Sequence, residues 1–178
     1  MHFILKHKWF FLLLVFVLFW IIFVSPEKVV SFLGVERGYL LIFLLALLGV
    51  SGFSSAPFYT ILLTFVASGE FNIFLLALVA SPAMAIGDSL FFFLGYKGHV
   101  VFGGRLRDVS LWLKSKPPWV TPLFAYFYSS FAPLPQDFLM VVLGLIRARF
   151  VYIIIALLLG NATFVIFTSN IFLKLTNM

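Results

Sequence analysis

Two carboxylates stand where a chain of this composition has least use for them. Asp88 follows Gly87 inside the apolar run 71–96, and Asp137 follows Gln136 just after Pro133 and Pro135. An acid at membrane depth is costly, and where kept it faces a bundle interior or a polar cavity and handles ions, protons or headgroups. A carboxyl buried without a partner is driven toward its neutral form, which suits a proton carrier. The plainer use is structural: each acid can accept hydrogen bonds from backbone N–H groups freed at a helix break, or pair with Arg147 or Arg149. Gln136, Asn161, Ser130 and Tyr59 are the neutral side chains suited to complete a polar lining, with helix–helix hydrogen bonding as their simpler role. Arg147 and Arg149 serve first as topology determinants. Their guanidinium groups also match a lipid phosphate.

The surroundings of these groups are apolar. Of 178 residues, 63% are hydrophobic and 10% charged, with a mean hydropathy of +1.18. A soluble domain has about a quarter of its residues charged, so an integral membrane protein is expected. With roughly 20 apolar residues per crossing, the length allows a handful of crossings and one compact membrane domain. The net charge of +6 is scattered over loops. That fits the positive-inside bias and attraction to anionic headgroups, not the basic face of a nucleic-acid binder.

Enzymatic chemistry is poorly served. There is no cysteine for a thiolate, and the histidines, His2, His7 and His99, lie at the interfaces rather than within spans. An intramembrane phosphatase therefore lacks its histidine. A metal-dependent lipid transferase needs clustered acids, but the six present are spread over 27–137. No serine pairs with a histidine or lysine inside a span. The sequence asks for no cofactor and no metal.

The elements that must position the polar residues follow from hydropathy and charge. Trp9–Val24 is a first span after Lys6 and Lys8, and Phe23-Val24-Ser25-Pro26 is a poor cleavage site. Residues 25–38 carry Glu27, Lys28, Glu36 and Arg37, which cancel. The legs Tyr39–Val50 and Pro57–Ala67 are each too short to span at ~1.5 Å per residue. Phe71–Tyr96 is long enough. The basic loop 97–118 holds Lys97, Arg105, Arg107, Lys114 and Lys116 against Asp108. Within it Phe102, Leu106, Val109 and Leu113 share one helical face. A surface helix is expected over about 99–116, with Trp112 and Trp119 as interfacial anchors. Thr121–Ile146 is broken by Pro133 and Pro135, and Phe150–Leu173 is the last span.

Placing the basic N-terminus, the 97–118 loop, Arg147 and Arg149 on one side forces 39–68 and 121–146 to return to the face they left. The expected fold is an all-α integral membrane protein with about three full transmembrane helices and two opposed re-entrant helical hairpins. Residues 1–38 form the N-terminal span and external loop, 39–178 the membrane domain, and Lys174 lies outside. The hairpins make an internal inverted repeat. Its copies carry Gly69 and Gly87, then Gly144 and Gly160, spaced by 18 and 16 residues (87 − 69 and 160 − 144). Pro57, Pro133 and Pro135 act as structural breaks, and Gly87, Gly144 and Gly160 as small packing positions. Such repeats with broken segments point to a transport site near the midplane.

Ser68-Gly69-Glu70-Phe71-Asn72, followed by Gly87-Asp88-Ser89-Leu90-Phe91-Phe92-Phe93-Leu94-Gly95-Tyr96, resembles the DedA family. That family is also called the SNARE-associated Golgi protein or VTT-domain family, and its members carry a Gly-Asp before an aromatic, then a Gly and a basic residue. Phe127 to Gly144, with Gly160-Asn161 beyond, sits where the family has its second re-entrant motif. The resemblance covers roughly 40–172 and implies two opposed re-entrant hairpins. It also implies lipid transport or scrambling, with bacterial members carrying undecaprenyl phosphate and often linked to proton-motive force. The sequence departs from the family pattern at three places. Ser130 and Gln136 stand where the second motif has arginines, and Tyr59 stands near the place of the first hairpin's acid. Without those arginines the bends suit a zwitterionic lipid or a cation better than an isolated phosphate.

The expected function is therefore a lipid transporter or scramblase of the cell (plasma) membrane. Its partners are membrane lipids, with protons or monovalent cations as coupling ions and a homo-oligomer compatible with the size. A non-transporting membrane scaffold or assembly factor, and an ion-coupled small-solute carrier, are the alternatives.

Overall fold

Long apolar runs without strand-like alternation satisfy their backbone groups as helices. In the computed structural model, which describes residues 26–48, 55–97, 108, 111–131 and 136–176, every regular element is helical. In chain order these are α1 (Pro26–Leu48), α2 (Ser55–Ser68), α3 (Ile73–Tyr96), α4 (Val120–Phe131), α5 (Gln136–Leu145) and α6 (Phe150–Thr176). The expected first span, Pro133 and Pro135 fall outside the described residues, as does most of the expected surface helix. Of that helix residues 111–114 form one helical turn. Leu113 there is buried, while Trp112 and Trp119 are exposed.

Two helices, α3 with 24 residues and α6 with 27, are long and apolar enough to cross a membrane. Less than half of each is buried, whereas the core helix of a soluble domain is mostly enclosed. Phe74, Leu78 and Leu90 on α3, and Val151 and Leu159 on α6, are each more than half exposed. Apolar side chains displayed along both helices are what a helix in contact with lipid or another apolar surface carries.

The shorter helices fall close to the expected legs. α1 is two helices meeting at Gly34, whose φ of 70° and ψ of 167° lie outside the helical region. Only glycine enters that region cheaply. The apolar part, Arg37–Leu47, is the first leg. Residues 26–34, placed in a connecting loop by their cancelling charges, are helical instead. Pro26 is compatible with this because a first helical residue has no intrahelical use for its N–H. Pro57 sits in the first turn of α2, where the same reasoning holds.

α3 begins at Asn72, whose Oδ1 accepts from the N–H of Phe74 at 2.9 Å and of Leu75 at 3.3 Å. The N–H of Asn72 donates to the Tyr39 hydroxyl at 3.1 Å, tying this start to α1. Further along, Ser81 Oγ donates to the Leu158 carbonyl of α6 at 2.5 Å, beside the internal Pro82.

The two halves pack alike in part. α1 lies on α3 as α4 lies on α6, and the two long helices pack together, but α5 is held closely by α3 whereas α2 touches α6 only lightly and packs on α1 instead. The first core gathers α1, α2 and the start of α3 around Ile42, Leu62, Phe65 and Leu76. The second gathers α4, α5, the end of α3 and the start of α6 around Phe92, Met140, Leu143 and Leu157. α4 and α5 touch each other little, each being held by a long helix.

Glycines decide how closely the second core closes. A Cβ at Gly95 would meet the Val141 carbonyl, and a Cβ at Gly144 would meet the backbone of Phe92 and Tyr96. The crossing of α3 and α5 is thus a reciprocal backbone-to-backbone contact through two glycines, the small-residue packing of membrane helices. Gly160 likewise lets α6 close on α4, against the Ser129 side chain and the Tyr126 carbonyl.

Candidate functional site

Three elements converge on the polar centre. α3 brings Asp88, next to the buried Gly87; α6 brings Asn161; the first turn of α5 brings Gln136 and Asp137. Asp88 is 1% exposed and Asn161 0%, so both are enclosed by protein in an otherwise apolar bundle. Gln136 Nε2 donates to Asn161 Oδ1 at 3.2 Å. The Asn161 amide lies beside the Asp88 carboxyl, and Asp137 is within electrostatic reach of it. Tyr59 of α2 lies within electrostatic reach of the same carboxyl, with its ring edge-on to Phe164 at 5.7 Å. Tyr128 of α4 senses Asp137.

The centre has unused hydrogen-bonding capacity. Asp88 Oδ2, Gln136 Oε1 and Asn161 Nδ2 are buried and find no hydrogen-bond partner among the described residues. Leaving such groups unsatisfied costs about 1–3 kcal/mol each, more where charged. Two acceptors and one donor with capacity to spare are the groups a polar headgroup, water or a cation would engage here. Asp137 has a second, local reason for its place. A carboxylate in the first turn of a helix is favoured by the helix dipole, by about 0.3–1 kcal/mol.

The other candidates fall elsewhere. Ser130 is buried, but its Oγ donates to the Tyr126 carbonyl of its own helix at 2.7 Å; Ser129 does the same at 3.1 Å. Ser130 therefore finishes α4 internally and adds no free group to the centre. Arg147 and Arg149 are exposed at the turn between α5 and α6 and border a pocket with Lys114 and Lys116. Two polar groups had no distinguishing mark in the sequence. Ser81 bridges the long helices, and Ser169 is fully buried with an Oγ that finds no hydrogen-bond partner among the described residues. Serines are ordinary in apolar helices, so only the packing separates these two from the rest.

Comparison with family models, curated proteins and solved structures finds no match to this chain.

Proposed function

We propose that this chain is an integral protein of the cell membrane that moves lipids between leaflets, a transporter or scramblase of the DedA type. The carrying observation is Asp88: an acid 1% exposed, with one carboxylate oxygen lacking a hydrogen bond among the described residues, on a helix long enough to cross a membrane. A packing role alone would leave no reason to keep that oxygen unsatisfied. Asn161, Gln136 and Asp137 extend the centre, and Tyr59 borders it from the other half. A lipid headgroup would exchange its water for these groups while its chains stay in hydrocarbon, with a proton or monovalent cation balancing Asp88. The seating of α1 on α3 and of α4 on α6 supports the inverted repeat, which in this reading has about three full spans and two opposed re-entrant hairpins.

The test is movement of a labelled zwitterionic phospholipid in vesicles holding the purified protein, with and without a pH gradient. Movement above protein-free vesicles supports the proposal. A folded protein that moves no lipid but dissipates a small-solute gradient is a solute carrier, and one that does neither is a scaffold.

The arrangement also predicts a topology. Because the chain has no cysteine, single cysteines report each side cleanly. Lys116→Cys should react with an impermeant thiol reagent only from the cytoplasm and Lys174→Cys only from outside. Reaction of both from the same side would remove the opposed hairpins.

A further inference from the structure

Away from the polar centre, a pocket of about 470 Å³ opens between the 113–122 segment and the turn that joins α5 to α6. Its wall carries four cations, Lys114, Lys116, Arg147 and Arg149, and among the described residues no acid. Trp119 and Tyr152 border it, both more than half exposed, beside the buried Leu113 and Ile153. One side is thus a cluster of positive charge, and the other is aromatic and apolar.

The turn itself is built at a cost. Arg147 N–H donates to Gly144 O at 2.9 Å and Ala148 N–H to Leu143 O at 3.0 Å. These are the two bonds of a Schellman helix end. Its left-handed position belongs to glycine by preference, yet here it is arginine, at φ 54°. The guanidinium lies over the Tyr96 ring, 5.6 Å from its centroid. A strained residue where a cheaper one would serve the fold is a reason to look for a ligand of its side chain.

We infer that this pocket is a docking site for the headgroup of an anionic glycerophospholipid, separate from the polar centre. Charge complementarity selects the anion, and arginine is the side chain suited to grip a phosphate with two parallel bonds. Position selects a lipid over a soluble anion. The pocket takes Tyr152 and Ile153 from the first turn of α6, and its Arg147 lies over Tyr96, the last residue of α3, so it sits by the ends of two membrane-length helices. Tryptophan and tyrosine at such a boundary favour a ligand with a polar head and apolar chains. The inference requires the membrane placement but not lipid movement, so it stands or falls independently of transport.

The experiment is native mass spectrometry of the full chain in detergent, titrated with phosphatidylglycerol or phosphatidylcholine of the same chains. Wild type should retain phosphatidylglycerol in preference. At about 1 kcal/mol per cation near the surface, Arg147→Gly should weaken that retention ~5-fold, and Arg147→Gln with Arg149→Gln ~30-fold. Arg147→Gly should also melt no lower than wild type, since glycine relieves the left-handed backbone. Lys174→Gln, at the far end of α6, should retain the lipid as wild type does. Equal retention by the arginine variants overturns the inference, as does an equal loss in Lys174→Gln. Displacement of the lipid by inorganic phosphate at matched concentration would make the pocket a soluble-anion site and would also overturn it.

Discussion

Leucine in place of Gly144 is expected to cost more than about 3 kcal/mol and to leave little monodisperse protein after extraction. Inserting methylenes into a packed core typically costs about 1–3 kcal/mol because flexible side chains yield. Here the first added carbon meets the backbone of Phe92 and Tyr96, which can move only if the whole of α3 moves. Alanine is already too large, and Gly144→Ala should cost about 1–3 kcal/mol by thermal unfolding in detergent. Gly95→Ala should behave alike, because its Cβ would strike Val141 across the same crossing. Once one substitution has parted the helices the second has less left to break, so the pair should cost less than the sum. Full additivity would mean that the crossing is not shared.

That crossing also marks where sequence reading ends. The bounds of α3, α4, α5 and α6 follow the expected runs within a few residues, because polar, glycine and proline flanks punctuate apolar stretches sharply. The convergence of Asp88, Asn161, Gln136 and Asp137 was legible in outline, since polar residues in an apolar bundle have few places to go. Which glycines touch backbone was not, because the partner of Gly144 lies some fifty residues away on another helix. Nor was the difference between Ser130 and Gln136. Both are polar and near the break, but one hydroxyl bonds its own helix and the other side chain reaches α6. The helix over 26–34 was hidden for a different reason. Its charges argue for a loop, yet the same residues can be carried on a helix. The left-handed backbone of Arg147 has no sequence signal, since a helix end at that place would be expected to carry glycine.

Asp88→Asn separates the two roles open to the central acid. The amide matches the carboxyl in shape but cannot carry its charge or exchange its proton. If Asp88 serves packing, losing the attraction between its carboxylate and the neighbouring Asn161 amide should lower stability. If it serves a ligand, the fold loses only a buried charge that was imperfectly paired, and such replacements are often neutral or stabilising. The expected result is a melting temperature no lower than wild type together with a large loss of transport. A hydrogen bond to a charged group contributes about 1.5–3 kcal/mol, so the step that uses it should slow roughly 10- to 150-fold. Asp137→Asn should act more weakly, because the first turn of α5 already favours that carboxylate on local grounds.

The most direct measurement is the rate of labelled phospholipid movement in vesicles with equal amounts of inserted wild type and Asp88→Asn, each shown to be folded. Lipid transfer through the polar centre predicts movement by wild type, lost at least tenfold in the variant. Equal rates in the two, or no movement by folded wild type, would contradict it.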